Sequence, residues 1–432
     1  MDALQVYQNV IKNAVSASIL GSIAGLCRLT AIANESLALV SSLAFLTLTA
    51  SLLALTLNAG LATEIESNSQ FSPKNVFTLG TLKIRIIAAI VILFPTYFLC
   101  KTQDIEVVFF FALILGVSIF LNRVIASFLK RINEIRKVEL AGLAISITDT
   151  FFLIWFYLAF DHDYLIYTPI ISSLIGTFIF VYLIISNFYK AEGKFSNDYN
   201  FNRGVFFSEL IGFFNGRGFL LALPILTSPA VSGALFFSIQ VFSSYHTLLS
   251  NTTKHLVVFA RSTGITSEAG LFSILNGTIN KYFVMGIYLL FASAIFAFAF
   301  FFESFNFLIF GLPFLCISYP RVIYPTISDT LSFKGKWGSM ALLSGIRFVI
   351  MVCFLGVVEF LGSQFWDVES ITLGWSAVYI GINIFVISFW YGFSYRREGG
   401  ACGSDTRNMR DVYAICGVSN IFVSLGLYGV WF

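Results

Sequence analysis

Charged residues are scarce in this sequence, and that scarcity excludes an ordinary soluble protein. Asp, Glu, Lys and Arg together make up 11% of the 432 residues, whereas hydrophobic residues make up 57%. Soluble globular domains carry about 25% charged residues. The mean hydropathy is +0.85, and apolar runs recur along the chain at about 20 residues, the length of a helix that crosses a bilayer. The sequence predicts an all-α polytopic membrane protein.

Residues suited to metal or redox chemistry are also few. The six cysteines are scattered without a CxxC pair, and the three histidines have no metal-ligand spacing. We interpret the cysteines as small apolar residues of the helix packing. We expect no cofactor, no bound metal and no nucleic-acid partner.

Twelve apolar runs predict twelve transmembrane helices. A thirteenth run, Val412 to Phe432, leaves open an extra C-terminal helix and the side on which the chain ends. The predicted spans lie near residues 13–34, 36–61, 84–101, 106–128, 138–160, 164–187, 204–226, 229–252, 282–302, 305–327, 338–361 and 371–394.

The loops between these runs carry all but one of their basic residues on one side. Lys101 is the single basic loop residue on the other side, where short loops carry acidic residues such as Asp104 and Asp161. By the positive-inside rule, the N-terminus is cytoplasmic. An alternative is a cleaved signal peptide ending near Ala33, but Arg28 interrupts the apolar region just before that site.

The spacing of the spans indicates an internal repeat. Spans one to six map onto spans seven to twelve with offsets of about 190 to 207 residues, and an even number of spans per half gives both halves the same orientation. The sequence therefore predicts two six-helix bundles, at residues 1–190 and 204–395, joined by a cytoplasmic linker at 191–203. Residues 396–432 form a basic cytoplasmic loop and the thirteenth run.

Several ionisable residues lie inside predicted spans, where each costs about 2.5 to 3.5 kcal/mol unless it faces a partner or a watery cavity. Their positions follow the repeat in three pairs: Arg28 with Arg217, Asp149 with Arg347, and Arg123 with Arg321. The last pair lies toward the cytoplasmic ends and is typical of interfacial anchors. Glu209 lies in the seventh span.

Structural explanations remain open for each of these charges. Arg28 has the alternatives of snorkelling to the outer interface or pairing with Glu35. Asp149 and Arg347 have the alternative of pairing with each other across the halves. Glu209 is either a partner of Arg217 or a protonatable coupling site.

A GxxxG pattern precedes an arginine in both halves: Gly21 and Gly25 before Arg28, and Gly212 and Gly216 before Arg217. Glycines four apart lie on one helix face and admit a neighbouring backbone. The pattern predicts two closely packed helices whose arginines line a shared cavity.

The stretch ELIGFFNGRGFLLALPILTSPAVSGALFFSIQVF, followed by LVVFARS, resembles the seventh and eighth spans of one transporter superfamily. With the twelve-span plan and the long cytoplasmic loops after spans two and eight, residues 1–395 are similar to the polysaccharide branch of the multidrug/oligosaccharidyl-lipid/polysaccharide exporter superfamily. These are flippases of O-antigen or capsule repeat units.

This resemblance implies a non-enzymatic protein of the bacterial inner membrane that serves lipopolysaccharide or other surface polysaccharide biosynthesis. Its substrate would be an undecaprenyl-diphosphate-linked oligosaccharide, moved from the cytoplasmic to the periplasmic leaflet by alternating access. Partners would be that lipid-linked oligosaccharide, membrane lipid and other polysaccharide-assembly membrane proteins.

An anionic diphosphate headgroup needs a hydrated path with cationic contacts through the bilayer. Arg28, Arg217 and Arg347 are the candidate substrate-binding residues, and Asp149 and Glu209 are the candidates for ion coupling.

Three other classes of protein fit these residues less well. A drug/cation antiporter of the same superfamily would favour an anionic cavity, whereas arginines dominate here. An O-antigen polymerase or ligase would need a substantial periplasmic loop, whereas the outer loops are short. A noncatalytic scaffold would bear the energetic cost of its repeated buried charges with no function that requires them.

Overall fold

The computed structural model describes residues 3–58, 79–102, 106–131, 134–187 and 203–216 almost completely, with scattered residues between and beyond these ranges. These residues are helical, with no strand among them. The helices are α1 (Ala3–Glu35), α2 (Leu37–Asn58), α3 (Leu79–Thr102), α4 (Glu106–Arg131), α5 (Ile135–Ala159), a 3-10 helix (His162–Tyr167), α6 (Thr168–Asn187) and α7 (Arg203–Gly216).

Each of the first six predicted spans overlaps one of the helices α1 to α6, although α1 begins about ten residues before its predicted span. Helix α7 begins one residue before the predicted start of the seventh span. Among the described residues, five apolar segments are long enough to cross a membrane: Ser16–Glu35, Leu37–Asn58, Glu106–Arg131, Ile135–Ala159 and His162–Asn187. The linker at 191–200, most of the C-terminal half and the thirteenth run lie outside the described residues.

Contacts divide the chain into two compact units. Nearly all described residues belong to the one that comprises Met1–Phe236 and Trp337–Ser344. The predicted boundary at residues 191–203 stays a prediction.

The break between α1 and α2 is a single residue, Ser36. Its hydroxyl accepts a hydrogen bond from the backbone N–H of Ala38 at 3.1 Å, which is an N-cap for α2. Because α2 is 22 residues long, Glu35, which precedes it, and Asn58, which ends it, lie at opposite ends of α2.

Helix α2 lies at the centre of the bundle and packs most extensively against α4, while α1 packs mainly against α5. Leu46 and Ala50 of α2 are fully buried with Ala112 and Leu115 of α4. Large apolar side chains on α3 and α6 point outward instead, such as Phe94 and Phe178, which are 60% and 74% exposed. Such faces suit a lipid environment.

The close contact between α2 and α4 depends on Gly116. A Cβ atom there would lie 2.8 Å from the carbonyl oxygen of Ala50 and 2.9 Å from Leu53. The predicted close approach at the GxxxG glycines is wrong in α1, because a Cβ at Gly25 would meet nothing within 4 Å and one at Gly21 only Ser146, at 3.5 Å. A Cβ at Gly212 would meet no described atom within 4 Å either.

We expect Gly116→Ala to destabilise the protein by about 1 to 3 kcal/mol through overpacking. Gly142→Ala is the matched control, because a Cβ there meets nothing within 4 Å and alanine favours the helix. Thermal unfolding of both variants in detergent measures the difference. Equal melting temperatures would contradict the assigned packing.

One buried cation fixes α3 to the end of α2. Arg85 is 2% exposed, and its Nη1 donates to the carbonyl oxygens of Leu57, at 2.9 Å, and Asn58. The last carbonyl groups of a helix lack intrahelical donors and attract positive charge. Arg85 therefore supplies both a hydrogen-bond donor and a positive charge to the carbonyl groups at the end of α2.

Candidate functional site

Arg28 faces the interior of the bundle because of its register on α1. Ala24, Arg28 and Ile32 are spaced four residues apart, and their exposed fractions are 1%, 7% and 0%. Residues at this spacing share one helix face. The guanidinium is therefore buried among helices α1, α5 and α6 and does not snorkel to the bundle end.

The partner of Arg28 is Asp149 of α5. Nη2 of Arg28 donates to Oδ1 and Oδ2 of Asp149 at 2.6 and 2.7 Å. The two side chains are 9% and 16% exposed. The pairing with Glu35 that the sequence left open is not formed, and the described partner of Asp149 is Arg28 rather than Arg347, which lies outside the described residues.

Two hydroxyl groups of α6 complete this site. Nε of Arg28 donates to Oγ1 of Thr168 at 2.8 Å, and Oγ of Ser172 donates to Oδ1 of Asp149 at 3.1 Å. Thr168 and Ser172 are 0% and 4% exposed. We call these four residues the Arg28 cluster. It joins α1, α5 and α6, and its formal charges sum to zero.

Glu35 has its own partner at the bundle end. Its Oε1 lies 2.8 Å from Nδ1 of His162, and the two side chains are 51% and 34% exposed. The ring of His162 also packs on Tyr157 at 4.8 Å between centroids. By helix rise, Arg28 lies about 10 Å deeper than Glu35.

Glu209 of α7 lies at the opposite end of α2. Nδ2 of Asn58 donates to Oε2 of Glu209 at 3.4 Å, and the Glu209 carboxylate attracts the guanidinium of Arg123. The local turn orients Asn58, because its Oδ1 accepts from the backbone N–H of Ala62 at 2.9 Å and Gly60 supplies a positive φ of 78°.

The structure therefore brings Arg28 and Asp149 together and places Glu209 in a separate charged group. Arg217 and Arg347 lie outside the described residues, and their roles stay predictions. The described part of the chain contains no group of three residues suited to a metal ion.

Sequence reasoning did not identify the two hydroxyl residues of the Arg28 cluster. A signal was present, because Thr168 and Ser172 are polar residues at a spacing of four in a mostly apolar run. Polar residues on one face of a membrane helix usually contact another helix.

No family model matches this sequence, and no curated protein matches it. Its fold is nevertheless similar to that of solved membrane transporters. One is the MATE multidrug transporter DinF-BH, solved in complex with a ligand: identity is 11%, the match covers 90% of this chain and 95% of that one, and the TM-score is 0.56.

A second is a mutant of the Vibrio cholerae MATE transporter VcmN. Identity is 14%, the match covers 92% of this chain and 98% of that one, and the TM-score is 0.53. At these identities the likeness shows the fold alone. The chain has the fold of an all-α polytopic membrane protein with about twelve transmembrane helices in two six-helix repeats, as the sequence predicted.

Proposed function

We propose that this protein is a flippase that moves undecaprenyl-diphosphate-linked oligosaccharide repeat units across the bacterial inner membrane by alternating access. It would serve O-antigen or other surface polysaccharide biosynthesis. The observation that carries the proposal is the buried Arg28–Asp149 pair within a fold similar to that of known transporters.

The chemistry of this pair favours an anionic substrate. The Asp149 carboxylate can take up a proton, whereas the Arg28 guanidinium stays charged at any physiological pH. The two charges of the pair therefore sum to zero or to plus one, and never to a negative value. Such a site can attract a phosphate group, but it cannot become an anionic pocket for a cationic drug.

The neighbouring groups suit the same headgroup. Thr168 and Ser172 place hydroxyl groups beside the ion pair, and hydroxyl groups can hydrogen-bond both phosphate oxygens and sugar hydroxyls. In this proposal Arg28, Arg217 and Arg347 contact the headgroup, and Asp149 and Glu209 are the groups that respond to protons or other ions.

A second candidate function is drug/cation antiport. It is favoured by the two similar structures, both of MATE transporters, one of which is a multidrug transporter solved with a bound ligand. In this chain, the acidic group of such an antiporter would be Glu209 with Asn58, because a cation at Asp149 would face Arg28 directly.

Reconstitution into liposomes tests the proposal. We expect the wild type to translocate a fluorescent undecaprenyl-diphosphate sugar, and Arg28→Ala and Arg217→Ala to slow it at least about tenfold, the loss expected for a charge-assisted hydrogen bond. Arg136→Ala is the control, because it removes an exposed arginine outside the predicted spans.

Two results would contradict the proposal. Wild-type rates equal to those of empty liposomes with several glycans, together with proton-driven efflux of a cationic dye, would favour the antiporter. Full activity in both arginine variants would remove the binding site proposed here.

A further inference from the structure

We infer that the Asp149 carboxylate occupies the hydrogen-bond donors of Arg28 that bind the substrate phosphate, and that a bound headgroup displaces it with uptake of one proton. This inference rests on the proposed function, since it requires an anionic substrate. It adds a specific exchange at the Arg28 cluster. The carboxylate of Asp149 leaves Arg28 and takes up a proton, and the substrate phosphate binds Arg28 in its place.

The hydrogen-bond geometry supports the exchange. Nη2 of Arg28 donates to both oxygens of Asp149, and Nε is engaged by Thr168. Carboxylate and phosphate present similar pairs of acceptor oxygens to a guanidinium. A phosphate cannot share the same N–H groups, so the carboxylate must leave before the headgroup can bind Arg28 through them.

The displaced carboxylate would be costly as an anion. The Asp149 side chain is only 16% exposed, and an ionised carboxylate without a partner in such a place is strongly disfavoured. Protonation removes that cost. The proton comes from hydronium or a buffer acid in the solvent. Its bond to that donor breaks as an O–H bond forms on Asp149, and the donor is left as its conjugate base.

Ser172 is placed to accommodate the protonated form. Its Oγ lies 3.1 Å from Oδ1 of Asp149, and 3.1 and 3.2 Å from the carbonyl oxygens of Pro169 and Thr168. In the substrate-free state the hydroxyl donates to the carboxylate. After protonation it accepts from Asp149 and donates to one of those carbonyl groups.

Several ionisable groups on the elements around Asp149 already have partners among the described residues. The ionisable partner of Asp149 is Arg28 of α1, and α6 presents Thr168 and Ser172. In the 3-10 helix His162 is paired with Glu35, and in α4 the Arg123 guanidinium interacts with Glu209.

Titration calorimetry on the purified protein in detergent tests the exchange, with farnesyl diphosphate as the probe. Binding heats at pH 7 in buffers of different ionisation enthalpy give the number of protons taken up. The diphosphate's own proton change contributes to the count in both proteins, so the readout is the difference between wild type and Asp149→Asn. We expect the wild type to take up about one proton more than the variant.

The same experiment gives an affinity. We expect Asp149→Asn to bind the probe about tenfold more tightly, because a neutral amide competes less strongly for the guanidinium than a carboxylate does. Arg28→Ala should abolish this site. Asp163→Asn, at an exposed aspartate, is the matched control and should behave as the wild type.

Infrared difference spectra provide a second readout on the wild type alone, in case Asp149→Asn does not fold. Probe binding should produce the C=O stretch of a protonated carboxylic acid. Binding without that band, or with equal proton counts in wild type and Asp149→Asn, would overturn the exchange while leaving an anionic substrate standing. No binding of the probe to either protein would overturn both proposals.

Discussion

Truncating Asp149 to alanine while Arg28 remains should destabilise the protein by about 3 to 5 kcal/mol. The change leaves a guanidinium that is 9% exposed without its counter-ion, and arginine cannot lose its proton to escape. Unfolding in detergent, followed by circular dichroism, measures the effect. Asp163→Ala is the control, because Asp163 is exposed and its loss should change stability by less than about 0.5 kcal/mol.

The double variant Arg28→Met with Asp149→Leu should recover most of the lost stability. Replacing a buried ion pair with apolar residues of similar volume is often neutral, whereas removing one partner is not. The double-mutant cycle built from Arg28→Met, Asp149→Leu and the double variant should therefore show a coupling free energy of about 2 kcal/mol or more between the two positions. Additive single effects would mean that the two side chains do not interact.

The same variants separate stability from function. The double variant should fold and yet fail to translocate the lipid-linked sugar, because it has lost the cation proposed to bind phosphate. A structural pair without a functional role would give the opposite result, a stable double variant that retains transport.

Replacing Arg85 with methionine should destabilise the protein by about 2 to 4 kcal/mol. The methionine fills much of the same volume, but it leaves the carbonyl groups of Leu57 and Asn58 without the charged donor that they have now. The expected consequence is loss of the α2–α3 contact at that end of the bundle. Denaturant unfolding in detergent measures the change.

Lys83→Met is the matched control for Arg85. It removes one positive charge from the same helix two residues away, but Lys83 is exposed. We expect a change of less than about 0.5 kcal/mol. If Lys83→Met and Arg85→Met are equally stable, then Arg85 does not stabilise the end of α2.

The positions of the first six helices were predictable because lipid imposes one requirement on every span. Backbone groups must be satisfied within the segment, so an apolar run of sufficient length becomes a helix. The break between the first two helices was predicted one residue early, at residue 35, whereas the structure places it at Ser36, whose hydroxyl caps α2.

The glycines show that local sequence patterns do not predict which helices pack closely. The GxxxG pattern in α1 resembled a packing motif, yet a Cβ at Gly25 would meet nothing within 4 Å, while Gly116, outside any such motif, lies against the backbone of α2. The spacing of glycines specifies a face of a helix. It does not specify which helix meets that face.

The sequence did not predict the partners of the buried charges either. Arg28 and Asp149 are 121 residues apart. From the sequence we considered Glu35 as a partner of Arg28 and Arg347 as a partner of Asp149, and we did not pair Arg28 with Asp149. The structure joins Arg28 to Asp149 because α1 packs along α5, and the register of the two helices brings these depths together.

The sequence by itself determined that this chain is a helical membrane protein, where its first helices lie, and which of their residues carry charge into the bilayer. These features depend on local hydropathy, which each segment satisfies alone. Only the tertiary structure decided that Arg28 is neutralised by Asp149 and flanked by Thr168 and Ser172. Those contacts depend on the packing and rotation of three helices, and no local pattern encodes them.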